Sequence, residues 1–217
     1  MKRIKVSVLI DQLIPGGVQK IAIQEVKYLN QFGYDANLLI LMRDGYQPKY
    51  RTLVEGIPYQ FLEDSYPAPL RQNFKLPFFS FLSALHLASP ILAIRQLKNQ
   101  SPDIIVSHGS TTSLTALTAK WLAQVPYIFM IPDPMVYILE KIYANSPLKI
   151  ISPLIKLTAT YLEKKIVINA QVCLVDSRFH QKFIQEKYAV KPQVLYLGIA
   201  SVKPLKKLGR HILTTGR

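Results

Sequence analysis

Four short clusters in this 217-residue chain carry residue types that can do chemistry. The first is Pro15-Gly16-Gly17, between an apolar run and a helical pattern. Glycines let backbone come close to a ligand, and the free N–H groups of a helix start favour anions. The same three residues also suit a simple tight turn. The second cluster is Ser107-His108-Gly109-Ser110, where an imidazole beside a glycine could act as a donor or base, or could order its loop. Ser110, Thr111 and Thr112 suit capping of the helix that follows. The third is Pro132-Asp133-Pro134, whose carboxylate could orient a hydroxyl or cap a helix. The fourth is Asp176-Ser177-Arg178, in which Ser177 or Asp176 reads as an N-cap and Arg178 adds a cation.

Several kinds of chemistry find no support in the residue order. GxGxxG, GK[ST] and GxSxG are all absent. The four histidines (86, 108, 180 and 211) lack metal-ligand spacing, and Cys173 is the one cysteine. No metal and no cofactor are therefore expected, and Cys173, within VCLVD, reads as a small core residue.

The elements that must position these clusters alternate. IKVSVLI (4–10) reads as a buried strand, and Val18, Ile21, Ala22, Val26, Leu29 and Phe32 fall on one face of a helix closed by Gly33. ANLLILM (36–42) is the next strand, and strand–helix–strand in so short a span implies a parallel sheet. The alternation runs on through a weak strand at 58–61, a helix over 78–99 with Pro90 as a bending point, and a strand at 103–107. The helix STTSLTALTAKWLA follows, then the strand 127–131 and mostly helical residues 134–168 broken near Pro147 and Pro153. A strand at 172–176, a helix SRFHQKFIQEKY and a strand at 193–197 complete the pattern. The fold class is α/β, a Rossmann-like doubly wound parallel sheet. In such a sheet ligands sit outside the carboxyl ends of the strands, where all four clusters fall.

Apolar residues make up 49 % and charged residues 18 %, enough for a sizeable core. Lys+Arg number 27 against 13 Asp+Glu, a net charge of +14. Residues 151–217 hold 12 basic and 3 acidic side chains, so +9 of the +14 sits there. Such a face suits phosphate-rich partners or anionic lipid, or serves as a solubilising surface. The start MKRIKVSVLIDQ reads as a first strand, not a signal peptide. Leu76 to Ile94 is uncharged over 19 residues but contains two prolines, three serines and His86, which favours a buried or membrane-surface helix over a span.

Taken together, these blocks resemble the N-terminal domain of a family 4 (group 1) glycosyltransferase of the GT-B fold. IPGGVQKIAIQEVKYLNQFGYDANLLIL resembles the family's opening Gly-Gly loop, helix and second strand. PDIIVSHGSTTSLTALTAKWLAQVPYIFMIPDP resembles its central block, and AQVCLVDSRFHQKFIQEKYAVKPQVLYLGI the block that ends the first domain. HILTTGR resembles the first strand of the second domain. The resemblance implies three parts: an acceptor-binding domain over 1–200, a linker over 201–211, and the start of a donor-binding domain at 212–217. It implies a retaining enzyme of hexosyltransferase type that takes a sugar from a nucleotide-sugar donor. The acceptor would be a cell-envelope, polysaccharide or lipid-linked molecule. This chain alone would be inactive, because further donor contacts would lie past residue 217.

By the same resemblance, Gly16 and Gly17 would line the cleft near the donor phosphates; Val18, Gln19, Gly109, Ser110 and Arg178 are further candidates for binding substrate or donor, Arg178 being equally suited to a solvated surface. Arg217 matches an arginine that contacts the diphosphate. The family often has a histidine where this chain has Pro132, so either His108 or Asp133, the catalytic candidates, takes over the polar contacts at the reacting sugar, or the acceptor chemistry differs. The expected location is the cytoplasm, at the inner face of an anionic membrane. Tyr137, Lys141, Tyr143, Lys149, Lys156 and Tyr161 could rest on that membrane or serve in ordinary packing. Two other readings are a basic nucleic-acid-binding module and a non-catalytic GT-B partner subunit. The first lacks any helix-turn-helix, RRM or OB pattern, so nucleic acid is not the expected partner.

Overall fold

A computed structural model describes residues 3–43, 45–66, 75–76, 79–137, 139 and 152–196. The first strand, β1 (Lys5–Gln12), has five consecutive buried residues from Val6 to Ile10. A strand buried on both faces needs cover above and below, and its neighbours supply it. β2 (Asp35–Met42) pairs with β1 on one side and β3 (Tyr59–Phe61) extends that edge. On the other side follow β6 (Ile104–His108), β7 (Tyr127–Ile131), β8 (Val172–Val175) and β9 (Gln193–Val194). The seven strands are all parallel, in the order β3-β2-β1-β6-β7-β8-β9. The order reverses between β1 and β6, which opens a crevice at their carboxyl ends.

Alternation along the strands divides the core in two. Val8, Ile10, Leu38 and Ile40 pack on one face against Ala22, Ile23 and Val26 of α1 (Gly17–Gln31). Leu9, Leu39, Leu41, Ile105 and Phe129 pack on the other. That side is covered by α2 (Ala84–Gln100), α3 (Ser110–Ala123), α4 (Ser152–Asn169) and α5 (Arg178–Tyr188). Gly33 ends α1 at φ +88°, a left-handed conformation that glycine adopts without a Cβ clash. Asn30 then ties the helix to β2: its amide donates to the Val26 and Ala36 carbonyls and accepts from the Ala36 N–H.

Among the described residues the expected elements are found with one change of type; of the helical segment expected over 134–168, residues 138 and 140–151, with the break near Pro147, lie outside them, and Pro153 stands at the start of α4. The helix expected over 78–99 starts only at Ala84. Before it, β5 (Phe79–Ser83) pairs antiparallel with β4 (Lys75–Leu76). Pro90 lies inside α2. The last strand is two residues long where five were expected. Cys173 is buried with its thiol near the Val167 carbonyl, and burial pushes that thiol up to about 12. The linker and second-domain strand expected over 201–217, and His211 within it, lie outside the described residues.

Glu163 joins three elements in the interior. It is fully buried on α4, on the same face as Ala159, Ile166 and Val167. It accepts from the Met135 N–H at 2.6 Å and from the Tyr188 hydroxyl at 2.6 Å. Desolvation raises its pKa above the ordinary 4.5, against the opposing pull of those hydrogen bonds. The native state therefore holds a proton that the unfolded chain gives up near pH 4.5, so this group's contribution falls as pH rises through the raised value. Glu163→Ala should cost about 3 kcal/mol by leaving a cavity and two unpaired polar groups. Glu163→Gln should cost about 1 kcal/mol or less at neutral pH and should flatten the decline in stability between mildly acidic and neutral pH. Urea denaturation of both variants across that range checks this.

Candidate functional site

The crevice between β1 and β6 is framed by two helix starts. Gly16 is the N-cap of α1, and the first helical N–H bond runs from Lys20 to its carbonyl at 3.1 Å. No side chain caps that turn and no acid lies in it. Gly109, at φ +92°, is the N-cap of α3, again with no side-chain cap and no acid in the first turn. Its N–H donates to the Met130 carbonyl, which fixes the loop to β7. Two uncapped amide turns thus face the carboxyl ends of adjacent strands, where partial positive charge is least compensated. By contrast, α5 is closed by Ser177, whose hydroxyl accepts from the His180 N–H at 3.2 Å.

The glycines differ in what they leave open. A Cβ on Gly16 would run into the side-chain oxygen of Gln19. A Cβ on Gly17 would meet nothing within 4 Å, so that residue borders open space. Gln19 is buried and folded back against the turn, and Val18 is half-buried. The loop is thus a backbone surface at Gly16 and Gly17, with Gln19 acting as its support.

His108 ends β6 and is buried. Its Nε2 lies 2.7 Å from Oε2 of Glu25 on α1, which joins the two elements that border the crevice. The expected hydroxyl cap of α3 is not made. Thr112 instead donates back to the His108 and Gly109 carbonyls, as a threonine in a first turn can, and Ser113 also bonds Gly109. Ser107 meets Ser113 at 2.8 Å beneath the loop. Ser110 and Thr111 are half-buried at the crevice rim.

Asp133 follows β7, is exposed, and makes no hydrogen bond among the described residues. The nearby Met135 N–H is held by Glu163 from α4 rather than by Asp133. Arg178 opens α5 and is exposed. Its neighbour Asp176 lies 2.7 Å from the His180 ring. The structure therefore sets Gly16, Gly17, Gly109, Ser110, Asp133 and Arg178 along one edge of the sheet. It buries His108 and Gln19 behind that edge. Arg217 lies outside the described residues. Among the described residues no group of three His, Cys, Asp or Glu side chains could hold a metal ion.

Comparison with known proteins gives this geometry a relative. The model of Glycosyltransferase Family 4 matches residues 15–201. The chain belongs to that family. The GT-B fold is shared with HepE from Anabaena, solved in complex with UDP-glucose, at 15 % identity and a TM-score of 0.60, over 91 % of this chain and 44 % of that one. Sucrose-phosphate synthase from Thermosynechococcus elongatus is similar at 11 % identity and a TM-score of 0.61, over 89 % and 47 %. The lipopolysaccharide outer core galactosyltransferase WaaB is similar at 14 % identity and a TM-score of 0.57, over 91 % and 46 %. This family 4 chain thus spans under half the length of each of these structures. No curated protein sequence matches it.

Sequence reasoning missed Glu25 and Glu163. Glu163 had a signal: it shares a helical face with Ala159, Ile166 and Val167, where a carboxylate must find partners. Glu25 had none, because its partner lies 83 residues away. His108→Ala should cost about 2 kcal/mol, since it empties a buried site and strands the Glu25 contact. His108→Gln can keep a bond to Glu25 and should recover most of that loss in a thermal melt.

Proposed function

We propose that the protein forms the acceptor-side wall of a retaining glycosyltransferase of hexosyltransferase type. It would move a sugar from a nucleotide-sugar donor to a cell-envelope, polysaccharide or lipid-linked acceptor. One observation carries this reading: two glycine-capped helix starts, free of acids and side-chain caps, meet at the strand-order reversal. Such a crevice suits a diphosphate, because several amide dipoles address one anion without a metal. HepE, which shares the fold, was solved with UDP-glucose, with UDP and glucose, and with UDP.

In this reading the exposed backbone at Gly16 and Gly17 lets the diphosphate close on α1, while Gly109 and Ser110 approach it from α3. A second domain would hold the base and sugar, as the length of the neighbours suggests, and this half alone would not turn over. Asp133 and Arg178 border the acceptor's path, Asp133 as a hydrogen-bond acceptor for a sugar hydroxyl. His108 acts by holding α3 to α1, through Glu25. Calorimetry should detect binding of a nucleoside diphosphate to the protein complete with its donor-holding domain, and a labelled-sugar assay should detect transfer. Silence in both across common donors would refute the proposal. Gly17→Val should leave the melting temperature within a few degrees, because the space is open, and should lower turnover by at least ~10-fold by blocking the amides. Unchanged turnover would remove the loop from the mechanism.

We also propose contact with an anionic membrane through α4. No helix among the described residues is long and apolar enough to cross a bilayer. Yet Leu154, Leu157, Tyr161 and Ile168 are exposed and recur along one side of α4, with the exposed Lys164 and Lys165 beside them. Trp121 and Leu122 are exposed at the end of α3, where the adjacent Lys120 bonds the last carbonyl of α4, that of Asn169. Apolar side chains flanked by lysines suit the interface of acidic lipid. Of the other residues expected there, Tyr137 packs against Phe179 and Phe183, which makes it a packing residue. Lys141, Tyr143 and Lys149 lie outside the described residues. Reversing Lys164 and Lys165 to glutamate should lower co-sedimentation with phosphatidylglycerol vesicles by at least ~10-fold at low salt, at ~1 kcal/mol or more per charge. Equal sedimentation of both proteins would exclude this face.

A further inference from the structure

Beyond the crevice, the carboxyl ends of β2 and β3 carry a second concavity. Its volume is about 440 Å³, and it is lined by Arg43, Tyr46, Arg51, Tyr59, Phe61 and Asp64, with Gln60 at its side. The lining is built rather than incidental. Arg43 follows directly on β2 and makes a two-pronged pair with Asp64, at 2.9 and 2.7 Å, while its guanidinium lies 3.9 Å from the centre of the Phe61 ring. Its backbone N–H donates to the buried Glu63 carboxylate at 2.6 Å, which pins the turn from behind. Tyr46 and Tyr59 meet the Phe61 ring edge-on at 5.1 and 6.1 Å. Gln60 accepts from Gln100 at 2.7 Å through its oxygen, which leaves its amide N–H groups to donate elsewhere.

Arg51 differs from Arg43. It stands on the helical turn Pro48–Val54, is exposed, and makes no ion pair or hydrogen bond among the described residues. Among the described residues the lining therefore has two guanidiniums and one carboxylate, and Arg43 pairs with that carboxylate. A guanidinium with open donors, beside half-buried tyrosines, fits a flat polyol that carries a negative group. The position also fits. Ile14, in the loop after β1, lies against Gly45, next to Tyr46 in the loop after β2. The two concavities are thus neighbours on one sheet edge, and one extended ligand could run from one to the other.

We propose that this pocket is a distal acceptor subsite for an acidic saccharide, with Arg51 pairing the carboxylate or phosphate ester of a sugar unit away from the reacting end. Tyr46 and Tyr59 would pack against the ring, and the Arg43–Asp64 pair would fix the pocket wall. The proposal rests on the acceptor-side reading above, but its test needs no donor. Calorimetric titration of the full chain, without nucleotide, would use four probes: a glucuronic-acid-containing disaccharide, its neutral counterpart, glucose 6-phosphate and inorganic phosphate. The acidic disaccharide or the sugar phosphate should bind at least ~10-fold more tightly than the neutral sugar, and whichever binds better identifies the anionic group. Arg51→Gln, on an exposed turn, should melt like the parent and lose that preference. Equal binding of acidic and neutral sugars, no binding of any sugar, inorganic phosphate binding as well as the sugars, or a preference that survives Arg51→Gln would each overturn it. Failure of nucleotide binding with this preference intact would instead count against the donor crevice.

Discussion

The structure depends on β1 being paired in parallel on both sides. Its neighbours, β2 and β6, lie one on each side, and the chain reaches them by crossovers that cover opposite faces of the sheet. A parallel strand buried on both faces has no solvent-tolerant register, since a slip by one residue would exchange the two cores. Val8 and Ile10 would then face α2 and α3, and Leu9 would face α1. Because the pairing is pinned, the loops after β1 and β6 open toward the same edge, and their helices start there. The crevice is a consequence of strand order before it is a property of any side chain.

Buried polar contacts then hold the loops that the sheet only aims. His108 and Glu25 join β6 to α1 across the crevice floor. Glu163 joins α4 to the Met135 amide and to the end of α5. Glu63 holds the amide of Arg43 at the end of β2. Glu63 and Glu163 are buried and find hydrogen-bond partners there, while Glu25 is half-buried. Together they leave the edge's outward side for glycine backbone and exposed charge. Family 4 membership and this edge are two observations of one design, in which rigid strands carry short loops to one edge of the sheet.

The charge distribution has a matching logic. The free guanidinium of Arg51 and the lysines of α4 lie on surfaces away from the core, and neither is needed for packing. The two uncapped helix starts add backbone polarity at the crevice without adding side chains.

The amino-acid sequence by itself determined the alternating α/β order, the strands at both sides of the crevice and the glycine loops at their ends. These are legible because buried parallel strands are short apolar runs and helices repeat every 3.6 residues, and both patterns are local. It also determined the family, through the order and spacing of its blocks. It misread 79–83, a short strand set within a wider uncharged apolar stretch that reads as one helix. Tertiary structure decided what the polar residues do. His108 could be a base or a brace on sequence alone; the fold adds a contact with Glu25, 83 residues distant, that ties β6 to α1. Asp133 could cap the next helix, but Glu163 from α4 took that amide. Arg43 and Arg51 are equal cations in the sequence, yet the fold brings Asp64 to the first and, among the described residues, no partner to the second. A hydrogen bond is set by positions in space, and contacts across the sheet have no periodicity for a sequence to display.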